Sequence, residues 1–239
     1  MVCPPIDHWR PHVAQARAYA EHRRGTVTFA VRTRRRAWSF RGTQTLPSAS
    51  VLKAMLLVAY LDDPRVRSRH LRHSDHVLID PMIRRSDNAA ATRVLGFVGP
   101  RGVYGVASRA GMRRFTLVTG VWGLSRIDAT DQARFFLHVE RHVVPRHRAE
   151  ALHLLASVIA PQRWGIGRLT LPGWRVYFKG GWGSGTGAVD HQVALLRGGC
   201  GRRVSVAVLS VAQGTHPYGK ATLEGMFRRL LRGLPHGSG

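Results

Sequence analysis

From Pro64 to about Ala160 the chain carries helical spacing and almost no strand pattern, while alternating, β-branched segments flank this stretch on both sides. A sheet interrupted by a long helical segment limits the fold more than any single residue does. Before the interruption, His12 to Arg23 shows helical spacing, with Val13, Ala16 and Ala20 on one side and Gly25 as a stop. Thr26 to Thr33 reads as a strand, Arg34 to Arg36 as its turn and Ala37 to Arg41 as the returning strand. Pro47 to Ser50 then opens an apolar helix from about Val51 to Leu61. Inside the interruption, Asp80 to Ser86 and Ala89 to Phe97 are predicted helices. Asp128 predicts a further start, because its carboxylate can accept the N–H of Asp131 and Asp131 favours the first turn; this helix should run through Phe135, Leu137 and Val139. Strands at Trp174 to Lys179, Val189 to Leu196 and Val204 to Val211 follow, joined by turns at Gly183 to Gly187 and Gly198 to Gly201, and Tyr218 to Leu231 closes as a helix. The expected class is α+β in a single domain of 239 residues. An α/β lobe should span about 10–50 and 165–235, and a helical lobe about 51–164.

Of 37 basic residues only three are lysines: Lys53, Lys179 and Lys220. Arginine stays charged in a protein, whereas the pKa of a lysine falls when the amine is buried or crowded by cations. A chain that draws bulk charge from arginine has kept lysine for another purpose. Ser50 and Lys53 are three apart on a predicted core helix and so share a face. A serine hydroxyl becomes a good nucleophile once a base takes its proton, and a partly neutral amine can do so. A surface lysine beside a serine is common, so this pair is weak alone; the apolar residues Ala54 to Val58 behind it strengthen it.

Ser86, Asp87 and Asn88 form a second polar group. A second hydroxyl can relay a proton, and an asparagine amide can hold both a lysine and a substrate amide without adding charge. All three types also favour helix caps, which alone would be the simpler reading. Lys179 is followed by Gly180, Gly181 and Trp182 at a strand end, where glycines let a ligand approach the backbone. A strand-edge N–H together with the N–H of Ser50 could form an oxyanion hole. A glycine-rich hairpin explains the same residues equally simply.

Taken together, Ser50-x-x-Lys53, Ser86-Asp87-Asn88 and Lys179-Gly180-Gly181, in that order, resemble the three motifs of class A serine β-lactamases and penicillin-binding proteins. The likeness runs from about residue 10 to 232. It implies a β-lactamase/transpeptidase-like fold, with an antiparallel sheet flanked by terminal helices and an all-helical insertion. It implies that Ser50 is acylated, that Lys53 is the base or part of its relay, and that Ser86 passes a proton to the leaving nitrogen. Asn88 would orient substrate and Lys53, Lys179 would supply positive potential and bind a substrate carboxylate through Ser86, and the N–H groups of Ser50 and Trp182 would form the oxyanion hole. The implied substrate is a small amide, a β-lactam or a cell-wall peptide, used without metal or other cofactor by a monomer. An extracytoplasmic location is also implied, although Met1 to Pro11 lacks the blocks of a signal peptide.

Two departures qualify the implied activity. Gly180 stands where the family usually has Thr or Ser, leaving Ser184, Thr186 or an arginine to hold a carboxylate. The segment Thr116 to Ile127, which should carry a water-activating glutamate, has no carboxylate; Glu140 and Glu150 fall later. Slow hydrolysis, peptidase or transferase chemistry, or acylation without turnover is therefore expected, rather than fast β-lactam hydrolysis. The alternative is a non-catalytic binding protein on the same fold, for cell-wall peptide or a polyanionic partner. The formal charge of +24 reads first as compositional bias, arginine replacing lysine on a solvated surface, because the arginines are scattered and no nucleic-acid motif accompanies them; an anionic envelope would also suit it. His70, His73 and His76, and His138 with His142, read as solvated side chains rather than a zinc site. Asp190 and His191 lie on a strand with no clearly paired serine. Cys3 and Cys200 leave a single disulfide open, but two cysteines at these places make no framework.

Overall fold

A computed structural model describes residues 6–237. Cys3, one of the two cysteines, lies outside the described residues. The first helix, α1 (Val13–Glu21), leads into β1 (Thr26–Thr33) and β2 (Ala37–Phe40), and a two-residue strand β3 (Leu46–Pro47) precedes α2 (Leu52–Asp62). The helical stretch contains α3 (Pro64–Arg67), α4 (His73–Arg84), α5 (Asn88–Arg109), the short strand β4 (Arg126–Ile127), α6 (Ala129–Leu137) and α7 (Arg148–Ala156). Three long strands follow, β5 (Arg175–Gly183), β6 (Val189–Arg197) and β7 (Arg203–Val211), and then α8 (His216–Leu230).

The five long strands form one antiparallel sheet in the order β2-β1-β7-β6-β5. Both its faces are covered, which explains why residues 193–196 of β6 and 206–209 of β7 are apolar at consecutive positions rather than alternating. Ala194 and Leu196 of β6 and Val206 and Val208 of β7 point with Leu223 and Phe227 of α8 into one core. Val193, Leu195, Ala207 and Leu209 point the other way, into a core shared with α2, α5 and α6. Helix α2 is buried along its whole length from Leu52 to Leu61. A helix apolar all round must sit inside the protein, and each large side chain so buried contributes about 1.5–3 kcal/mol. Lys53, with no accessible surface, is the exception in polarity.

Several boundaries differ from the sequence reading. Helix α4 begins at His73, seven residues before the expected Asp80, because Asp75 caps it: its carboxylate accepts the N–H of Arg72 and also binds Arg69 and Tyr60. Helix α5 continues past Phe97 to Arg109 because Gly99, at φ 65°, lets the chain kink before Pro100 and resume. The cap at Asp128 is present, at 2.8 Å from the N–H of Asp131, but α6 stops at Leu137 rather than reaching Val139. The pair β3–β4 was not foreseen. It joins Leu46 to Ile127 and Pro47 to Arg126, which brings the loop before Arg126 against the start of α2.

Candidate active site

Ser50 sits in a 3-10 turn, Ala49 to Val51, that runs directly into α2. The turn is held from three sides. The Ser48 N–H donates to the Ser125 carbonyl at 2.7 Å, the buried His191 bonds the Pro47 carbonyl at 2.8 Å, and the Ser210 N–H donates to Nδ1 of His191. An accepting Nδ1 fixes the proton of His191 on Nε2, and burial drives its pKa down to about 4, so the ring stays neutral. Ala49 is at φ 41° and Ser86 at φ 59°, in the left-handed region. Each such residue costs about 1–3 kcal/mol and persists only where its surroundings impose it.

That conformation lets Ser86 turn both its carbonyl and its hydroxyl toward Lys53. Lys53 Nζ donates to the Ser86 carbonyl, to Ser86 Oγ at 3.1 Å and to Asn88 Oδ1 at 2.7 Å. Lys179 Nζ reaches the same Ser86 Oγ at 3.0 Å and the Gly180 carbonyl at 2.9 Å. One hydroxyl thus lies between two fully buried amines. Burial drives the Lys53 pKa down to about 7, against the pull of the Asp87 carboxylate. Lys179 is lowered by burial and by the charge of Lys53. Asp87 itself caps α5, accepting the Ala90 N–H at 2.7 Å. Among the described residues neither lysine hydrogen-bonds Ser50; the three protons of a Lys53 ammonium are taken by Ser86 and Asn88.

Strand β5 is at the sheet edge, so N–H groups on its outer side are free to face a ligand. Gly181 backs directly onto the nucleophile turn: a Cβ there would lie 2.9 Å from the nitrogens of both Ser50 and Val51. Ser50, Asn88 and Trp182 line a cleft of about 400 Å³, with Thr92, Trp122 and Thr186. Of the residues that could have compensated for Gly180, Thr186 reaches the cleft, where its hydroxyl bonds the Gly183 carbonyl; neither Ser184 nor any arginine lines it.

Two tryptophans that the sequence reading passed over shape this site. Trp122 places its ring 5.0 Å from Lys53 Nζ and donates its indole N–H to Thr92 Oγ1 at 3.1 Å. It comes from the loop that carries no carboxylate, and it covers the amine with a ring face. Trp164 packs against Gly180, where a Cβ would come within 3.1 Å of its ring. A threonine at 180 would therefore displace Trp164, which also stands edge-on to Trp182 and His216. His216 stacks on Trp182 and bonds the buried Asp190, whose pKa burial raises to about 6 against the opposing pull of His216. No spacing in the sequence links these aromatic residues; only the fold brings them together. His70 and His73 lie on the exposed side of the helical region, as expected, whereas His76 faces two carboxylates, Asp80 and Glu150.

No curated protein is found to match the sequence. Among solved structures, the β-lactamase of Sphaerobacter thermophilus DSM 20745 superposes with a TM-score of 0.79 at 23% identity, over 92% of this chain and 96% of that one. An ancestral class A β-lactamase gives 0.76 at 19% over 92% and 98%, and a class A representative from Bacteroides cellulosilyticus DSM 14838 gives 0.76 at 15% over 92% and 95%. At these identities the likeness is one of fold, and it bears out the expected α+β, β-lactamase-like architecture. In sequence, the model of the Beta-lactamase enzyme family matches residues 68–230, which takes in Ser86, Asn88 and Lys179 to Trp182 but begins after Ser50 and Lys53. With more than half of the chain matched by that model and the fold in agreement, the chain belongs to the β-lactamase enzyme family.

Proposed function

We propose that the protein is a serine acyl-transfer enzyme that forms an acyl-enzyme on Ser50 with a β-lactam or cell-wall peptide amide and releases it slowly. The observation that carries this reading is Ser86 Oγ held between Lys53 and Lys179. When Lys53 is neutral it takes the proton of Ser50 as the hydroxyl attacks the carbonyl carbon. The N–H groups of Ser50 and Trp182 hold the resulting oxyanion. The proton then passes from Lys53 through Ser86 to the leaving nitrogen as the C–N bond breaks, which leaves Lys53 neutral again. Lys179 keeps its place beside Ser86, and Asn88 orients Lys53 and the substrate amide. Release by water is slow because the loop opposite Ser50 offers Trp122 instead of a carboxylate base.

An extracytoplasmic monomer, with lobes at about 10–50 plus 165–235 and at about 51–164 meeting at the cleft, fits this role. Among the described residues no helix is long and apolar enough to cross a membrane.

Incubation with a fluorescent penicillin, followed by peptide mass spectrometry, should show one acyl group on the Ser50 peptide, persisting after free drug is removed and absent in Ser50→Ala. The second reading is a non-catalytic binding protein, favoured by Trp122 over Lys53 and by Trp164 filling the space at Gly180. No adduct on the wild-type protein, or an equal adduct in Ser50→Ala, would select it. The Lys53 pKa sets the pH dependence. A base of pKa about 7 is protonated below that value, so the acylation rate should fall about tenfold per pH unit below 7 and level off above it. A flat rate from pH 5 to 9 would remove Lys53 from the base role.

A further inference from the structure

At the far end of the same sheet, Arg175, Arg197 and Arg203 stand abreast on three neighbouring strands. Arg175 is the cross-strand partner of Arg197, and Arg197 that of Arg203. Like charges directly opposite one another destabilise a sheet, so the row works against the fold. Its side chains share the sheet face of Tyr177, Leu195 and Ala207, and they line a cavity of about 590 Å³ closed by Arg141 and by Arg148, Leu152 and His153 of α7. Half of the ten residues lining it are arginines, against one carboxylate, Glu140. That carboxylate is already bound to the buried Arg203, which also donates to the Leu137 carbonyl. Arg148 donates its Nε to the Val143 carbonyl, so its position is fixed while its charge is not neutralised. Among the described residues no carboxylate is paired with Arg141, Arg148, Arg175 or Arg197.

We propose that this cavity is a binding site for an oligophosphate anion, separate from the acylation site. Guanidinium groups match phosphate oxygens two at a time and stay charged at any working pH. Several converging on one cavity suit a ligand that carries several phosphate groups. The volume lies in the range of ordinary small-ligand sites. Arg175 and Gly181 are six residues apart on one strand, about 20 Å at the usual rise, so ligands in the cavity and in the cleft would not overlap. A free oligophosphate and a segment of a phosphate-linked polymer share this chemistry.

Titration calorimetry of the full chain with tripolyphosphate, and in parallel with long-chain polyphosphate, tests the site. The double variant Arg175→Ala/Arg197→Ala should bind tripolyphosphate at least about tenfold more weakly than wild type, with a shallower salt dependence. A control of equal charge, Arg34→Ala/Arg36→Ala in the β1–β2 turn, should bind as wild type does. Arg197→Lys, which keeps the charge but not the paired donors, should fall between. Tighter binding of the polymer per phosphate would identify the polymer as the source, and equal binding the free ion. The proposal is overturned if wild type does not bind, or if the control loses as much as the pocket variant, because bulk charge would then suffice. The pocket variant should still acylate at Ser50, so failure here and failure of the acylation reading are separable.

Discussion

Lys53→Arg should lower the rate of Ser50 acylation by roughly 10²–10⁴-fold, the range expected for loss of a positioned general base. The substitution keeps the charge and removes the chemistry, because a guanidinium does not give up its proton in a protein. The setting makes the contrast sharp. Lys53 has no exposed surface, and its Nζ is held by the Ser86 carbonyl, Ser86 Oγ and Asn88 Oδ1. Burial that brings the amine to about 7 makes half of it neutral near that pH. The same burial would penalise arginine without freeing a lone pair. Because a larger head group in a closed site can itself unfold a protein, Lys53→Met should be measured beside it. Methionine keeps the length of the stem without the charge; it leaves the Ser86 carbonyl and Asn88 Oδ1 without their donor, at about 1–3 kcal/mol each, so this variant should be less stable, folded by circular dichroism and equally inactive. It should also change the pH dependence of stability. The folded-state pKa of Lys53 is depressed below that of the unfolded chain, so between about 7 and the ordinary lysine value the unfolded state binds more protons. Wild-type stability should therefore rise with pH across that window, and the Met variant should lose that component. Labelling of Lys53→Arg within tenfold of wild type would show that Lys53 is not the base.

The parts of this site that were legible in the sequence are those where the chemistry demands a residue type. An amine that can lose its proton had to be lysine, and in a chain with three lysines two of them stood out. The order of the motifs was legible as well, and so was the β-branched alternation that marks β1. The illegible parts depend on contacts between segments distant in the chain. Nothing local to Trp122 indicates that β3 and β4 pair and so carry its loop to the start of α2. Nothing local to Gly180 points to Trp164, sixteen residues earlier, as the ring that fills its missing side chain. The start of α4 was missed for a related reason: Asp75 looks like a polar loop residue until Tyr60 and Arg69 are seen to bury it. The row of arginines at Arg175, Arg197 and Arg203 was hidden by register, since three scattered residues become neighbours only when β5, β6 and β7 are aligned.

Those two tryptophans also connect the departures from the family pattern. The loop without a carboxylate and the glycine at position 180 each bring an aromatic ring to the site, Trp122 beside Lys53 and Trp164 against Gly180. Trp122 sets its ring 5.0 Å from Lys53 Nζ, and Trp164 with Trp182 and His216 gives the floor beside Gly180 an aromatic character. On the function proposed above, the first would bear on deacylation and the second on substrate fit; Trp122 lies against Lys53 itself, whereas Trp164 packs against Gly180.

Gly181→Ala should cost about 10²–10³-fold in acylation, the effect of disabling one oxyanion-hole donor, with little loss of secondary structure. The added carbon would lie 2.9 Å from the nitrogens of Ser50 and Val51 and 3.2 Å from the Ser48 carbonyl oxygen. All three are backbone atoms in a turn pinned through Ser125 and His191, so they cannot swing aside as a flexible side chain can. Relief would come from β5 moving outward, which it can do as an edge strand, and that movement carries the Trp182 N–H away from the Ser50 N–H. The neighbouring Gly180→Ala provides the comparison. Its added carbon would meet the tip of the Trp164 ring at 3.1 Å, a side-chain contact on the opposite face of the strand, and acylation should stay within about tenfold of wild type. Rates of penicillin labelling for the two variants, each checked by circular dichroism, decide the matter. If Gly181→Ala acylates as fast as Gly180→Ala, the close approach of β5 to the Ser50 turn has no part in stabilising the oxyanion.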